Sequence, residues 1–199
     1  MIAKSRRVFT NIALMLAVAG SLAPIPASAK VNSTGGVSPH ETTSTVIGGG
    51  LLRSGCRVTI TYGRPFSASP KSGEIRKIWG ALVPWDKAWR LGSDEATLLV
   101  TQKALKFGDT TIPAGAHTLY LVPSEKGVSK LAFSSNLGKW GVPVDESTDI
   151  ARVPATKGDL AEQVDQLTIS IAKDADTGGG VIHINWEKTR FSVPFTVAN

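Results

Sequence analysis

The chain has 199 residues, 42% hydrophobic and 19% charged, with 22 Lys and Arg against 16 Asp and Glu. No Lys/Arg run interleaves with aromatic residues, which argues against a nucleic-acid surface. Cys56 is the single cysteine, so no disulfide closes within one chain.

Residues 1–29 read as a secretory signal peptide. A basic start, MIAKSRR, precedes the apolar run NIALMLAVAGSLA, and PIPASA ends in an A-x-A pattern before Lys30. The run is too short and wrongly flanked for a spanning helix. Ser5-Arg6-Arg7-Val8-Phe9 fits a twin-arginine signal as well as an ordinary one. Either route implies a periplasmic or secreted protein with no membrane span after cleavage. Lys4, Arg6 and Arg7 leave with the signal, so 19 basic residues face 16 acidic ones and the net charge falls from +6 to +3.

Residues 30–40, KVNSTGGVSPH, are polar and Gly-rich and read as a flexible lead-in. Residues 41–199 are then long enough for one domain with its own core. Period-2 alternation recurs in TTSTVI, CRVTITY, EATLLVT, AHTLYLV, SKLAFS, QLTISIA, VIHINW and TRFSVPFTV. In CRVTITY, Cys56, Val58, Ile60 and Tyr62 share one face, which makes Cys56 a core thiol. In EATLLVT, the purely apolar Ala96, Leu98 and Val100 predict the core face. DADTGGG predicts a hairpin loop, and Pro194 predicts an edge or a bulge in the last strand. One short helix is predicted around KGDLAEQVDQ, with Asp159 as its cap. The whole reads as all-β: a single antiparallel β-sandwich or jelly-roll-like barrel.

The stretch VPWDKAWRLGSDE gathers Trp85, Trp89, Arg90, Asp94 and Glu95 at the mouth of a strand. A turn at Gly92 allows Arg90 to fold back on Glu95 as a bidentate pair that locks the loop. The same pair would leave donors of Arg90 facing a carboxylate or phosphate, with Trp85 and Trp89 as walls. Each indole equally suits core filling. Arg64, held between Gly63 and Pro65, is either a clamp on loop carbonyls or a ligand contact, and Arg76 is placed to approach the same end. His40, following Pro39, is a candidate general acid or base, or an ordinary polar residue. His40, His117, His183 and Glu95 show no metal-ligand spacing, so no metal is expected. No nucleophile motif, P-loop or dinucleotide fingerprint occurs, so no cofactor is expected.

SPHETTS, ITYGRPF, RKIWGALVPWDKAWRLGSDEATLL, IPAGAHTLYLVP, KWG and WEKTRFSVPF together resemble the bacterial domain-of-unknown-function family 2911, from about Ser38 to Phe195. The resemblance implies an exported β-domain and no established activity. The chain departs from the family pattern in the longer SASPKSGEI, in Asp94 where Asn is usual and in His117 where Tyr is usual.

Three functional readings follow. The first is a periplasmic binding or accessory domain for a small anionic or sugar-like ligand, held by Arg64, Arg76, Trp85, Trp89 and Arg90. The second is an enzyme using His40 and Glu95 as its catalytic proton-transfer residues. The third is a purely structural envelope protein.

Overall fold

The computed structural model describes residues 38–49 and 54–198. The signal peptide read at 1–29 and the lead-in up to residue 37 lie outside them. Among the described residues, nine strands form: β1 His40–Ile47, β2 Cys56–Gly63, β3 Ser93–Thr101, β4 Leu105–Phe107, β5 Thr110–Ile112, β6 Gly115–Val122, β7 Ser129–Ser134, β8 Asp149–Lys173 and β9 Gly180–Val197. A 3₁₀ turn, Glu146–Thr148, leads into β8 and is capped by the Asp145 side chain. No described helix is long and apolar enough to cross a membrane.

All strand pairs are antiparallel and run in the order β1-β2-β3-β6-β7-β8-β9-β4-β5. The all-β expectation holds, but the barrel does not: β1 and β5 end the sheet without pairing to each other. Nor does hydrogen bonding separate two sheets. The reason is the length of β8, whose first part pairs with β7 and whose remainder pairs with β9. Its far part faces back onto the start of the sheet. Thr45 Oγ1 donates to Ile171 O at 3.1 Å, and Tyr62 OH donates to Ile169 O at 3.2 Å while accepting from Ile169 N at 2.8 Å. Buried in this way, the Tyr62 phenol is pushed up to about 12.

Period-2 burial accounts for β2. Cys56, Val58, Ile60 and Tyr62 are buried, and Arg57, Thr59 and Thr61 face outward. Phe191, Val193 and Phe195 bury in the same way on β9. Pro194 is exposed and falls between the β8 and β4 ladders, where its missing N–H costs no pairing. DADTGGG is the β8–β9 turn, closed by Asp174 N donating to Gly179 O at 3.0 Å.

Two local expectations fail. In β3, the buried face is Thr97, Leu99 and Thr101, while Val100 is 43% exposed. The threonines tolerate burial because Thr97 Oγ1 donates to Leu91 O at 2.8 Å and Thr101 Oγ1 to Lys103 O at 2.7 Å. The predicted helix at KGDLAEQVDQ is extended chain within β8, with register shifts between Asp159 and Thr168. Tertiary partners override local propensity there: Ser67 N donates to Asp165 O and Leu167 N to Pro65 O.

Candidate ligand site

The stretch before β3 runs beside β6, with Trp89 and Leu121 exchanging backbone hydrogen bonds of 2.8 and 2.9 Å. This places four indoles together. Trp79 stacks on Trp85 at 5.8 Å, Trp89 stacks on Trp186 at 5.8 Å, and Trp79 meets both Trp89 and Trp186 edge-on. Trp79 and Trp186 are buried, whereas Trp85 and Trp89 are partly exposed. Trp85 is a lid on the core, with Lys157 Nζ 5.0 Å from its ring centroid.

The chain leaves this cluster through Leu91 and Asp94, both in the left-handed region at φ 60° and 62°. Gly63 and Gly92 let two backbone segments meet here. A Cβ on Gly63 would collide with the Ser93 carbonyl, so Gly63 is required by close approach. The turn sends Glu95 away from Arg90. Glu95 Oε2 lies 3.0 Å from His40 Nε2, and Asp94 Oδ2 lies 4.0 Å from the same nitrogen. Glu95's own backbone N–H holds its carboxyl below the ordinary value, helped by the hydrogen bond and charge of His40 and opposed by burial.

Arg90 therefore does not form the expected pair with Glu95. Its Nε donates to Gly92 O at 3.4 Å and its Nη1 to Trp140 O at 3.2 Å. The guanidinium lies over the Trp140 ring, 5.5 Å from the centroid. Burial lowers its pKa from the ordinary value, against the pull of Asp94 and Glu95. Arg76 also lacks a carboxylate partner among the described residues; it donates to the carbonyls of Phe66 and Ser67. Arg64 behaves differently. It pairs with Glu41 and donates to Leu167 O and Thr168 Oγ1, both at 2.9 Å, tying β1 and β2 to β8. Of its two sequence readings, the clamp describes this geometry.

A pocket of about 500 Å³ opens between the 65–93 segment and the loop after β7. Arg76, Trp89 and Arg90 line it; Arg64 and Trp85 do not. Trp186, Ser93, Phe66, Leu82 and Val142 complete walls that sequence reasoning did not assemble. Two lining residues carry buried polar atoms without a hydrogen-bond partner, Trp186 Nε1 and Ser93 Oγ. No described Asp, Glu, Asn or Gln lines the pocket. His40 lies outside it, and Glu95 instead lines a separate cavity of about 300 Å³ with Thr61, Leu98, Lys139 and Trp140.

The remaining histidines lie within β6 and β9. His117 is buried with Nε2 2.8 Å from Pro113 O, and His183 Nδ1 lies 3.0 Å from Ser192 Oγ. Among the described residues, no three His, Cys, Asp or Glu side chains are grouped to hold a metal ion.

The sequence matches the family described as Protein of unknown function (DUF2911) over residues 38–195. No curated protein and no solved structure matches the chain.

Proposed function

The chain belongs to the DUF2911 family, whose description assigns no activity, and we propose, from the signal-like sequence of residues 1–29 and the geometry of the pocket, that it is an exported binding or accessory domain for a small anionic ligand. One observation carries this reading: Arg76 and Arg90 line the same pocket, and neither has a carboxylate partner among the described residues. A partly desolvated guanidinium with no carboxylate hydrogen-bonded to it is costly, and a bound carboxylate or phosphate supplies bidentate hydrogen bonds as well as charge. Trp186, which also lines the pocket, has a buried Nε1 with no hydrogen-bond partner. The volume lies within the range of roughly 300–1,000 Å³ typical of small-molecule sites. A sugar-like ligand is less well served, because no carboxylate or amide side chain among the described lining residues accepts from its hydroxyls.

Trp89 and Trp186 provide the readout. Titration of indole fluorescence with inorganic phosphate, carboxylates and neutral sugars should give saturable quenching by anions. Arg76→Gln and Arg90→Gln should each weaken it about tenfold or more, the scale of losing one charge-assisted contact. Wild-type affinities preserved in both variants would remove the basis of the proposal.

The contact between His40 and Glu95 supports a second reading, proton transfer at the edge of the smaller cavity. It calls for turnover of chromogenic esters, phosphates or glycosides that is lost in His40→Gln. Equal rates in wild type and variant would dismiss it.

A further inference from the structure

The apolar walls of the larger pocket go beyond its charge. Phe66, Leu82 and Val142 are 41%, 46% and 64% exposed, and all three line it. Exposed side chains of this size gathered around one mouth mark a binding surface rather than chance. Pro65, Pro84 and Pro143 continue the apolar wall without adding a side-chain acceptor. Only Arg76, Arg90, two serines and the two indole N–H groups provide polar side-chain atoms, and none of these carries negative charge.

We propose that the ligand is an organic acid with an apolar body: one anionic group met by Arg76 and Arg90, and an aliphatic or aromatic part lying against Phe66, Leu82 and Val142. This rests on the anion-binding reading above and narrows it. Inorganic phosphate satisfies the guanidinium groups but leaves the apolar wall wet. A neutral alcohol covers the wall but leaves both guanidinium groups without a carboxylate or phosphate to bind. A polyol fits neither half, since no side-chain carboxylate or amide among the described residues receives its hydroxyls. Only a molecule with both parts matches the pocket at both ends.

The test compares four probes on the full chain by equilibrium dialysis below the micellar range: acetate, octanoate, octanol and inorganic phosphate. Octanoate should bind tightest, gaining up to about fourfold for each methylene buried. Arg90→Gln should weaken octanoate and leave octanol unchanged. Leu82→Ser and Val142→Ser, on exposed positions that should not disturb folding, should flatten the dependence on chain length while leaving phosphate unchanged. Phosphate binding as tightly as octanoate would overturn this inference and leave the anion site standing. Binding by none of the probes would remove both. Cosedimentation with phosphatidylglycerol vesicles that depends on Leu82 and Val142, without binding of free octanoate, would make the patch a membrane contact and also overturn the inference.

Discussion

Arg90 and Trp140 hold each other in two ways: the guanidinium lies 5.5 Å above the indole centroid, and its Nη1 donates to the Trp140 carbonyl at 3.2 Å. The loop after β7 thus holds an arginine that belongs to the segment before β3. Trp140 is 59% exposed, so its removal costs little packing. Trp140→Ala should weaken anion binding about threefold, matching a stacking contribution of roughly 0.5–1 kcal/mol at an exposed site. The unfolding midpoint should hardly move. Titration and thermal unfolding of the same sample check both halves, and unchanged affinity would show that the indole does not orient Arg90.

Gly141 places this loop against β3. Its φ is +79°, and an added Cβ would lie 2.9 Å from Ala96 Cβ and 3.1 Å from Arg90 Cβ. Gly141→Ala should cost more than the roughly 1–2 kcal/mol of a left-handed residue alone, and should weaken the anion site. Gly138, with φ +68° and nothing within 4 Å, supplies the comparison. Gly138→Ala should show the backbone cost without the clash. Equal denaturant midpoints for the two variants would contradict the close approach.

Arg64 separates clamp from ligand contact. Arg64→Met removes the pairing to Glu41 and the donors to Leu167 O and Thr168 Oγ1. Stability should fall by about 2–3 kcal/mol, the scale for losing hydrogen bonds made by a charged group. Anion affinity should stay within about twofold, since the pocket does not include this residue. A lost site in a variant of unchanged stability would reverse that assignment.

Stability should fall at both ends of the pH range. Burial, with Arg190 nearby, lowers the His183 pKa from 6.5. A histidine depressed in the folded state contributes stability above about pH 6.5 that is lost as acid protonates the unfolded chain first. His183→Gln should flatten that acid limb. Tyr120 is raised above 10.0, first by burial and then by its hydrogen bonds to Asp149. Its contribution is complete below about pH 10 and declines above it. Tyr120→Phe should remove the alkaline slope and cost about 1.5–3 kcal/mol near neutrality. Unfolding midpoints across pH 4–11 decide both.

The strands were legible where alternation was strict. Cys56, Val58, Ile60 and Tyr62 announce the buried face of β2 because each outward neighbour is Arg or Thr. The buried face of β3 is hidden in the sequence because Thr97 and Thr101 look polar there, while the carbonyls of Leu91 and Lys103 that satisfy them are visible only in the fold. Leu160, Val164 and Leu167 imitate helical spacing, but their segment is held extended by partners near Pro65, a long way back in the chain.

Half of the candidate site could be found in advance, and half could not. Trp89 and Arg90 stand out as charge and indole crowded into one stretch, and Arg76 as a second guanidinium placed to approach the same end. Trp186 and Val142 reach the same pocket through β9 and the loop after β7, and no spacing rule connects them to Arg90. The Arg90–Glu95 pair failed on one backbone angle. Asp94 at φ 62° turns Glu95 toward His40. Asp and Asn both tolerate that conformation, so Asp94 keeps the turn while placing a carboxylate there.

Native mass spectrometry of the full chain with octanoate, beside the Arg76→Gln/Arg90→Gln double variant, tests the central claim most directly. The account predicts a single 1:1 adduct on the wild type, absent from a double variant that keeps the wild-type unfolding midpoint. A folded double variant that carries the same adduct at the same occupancy would contradict it.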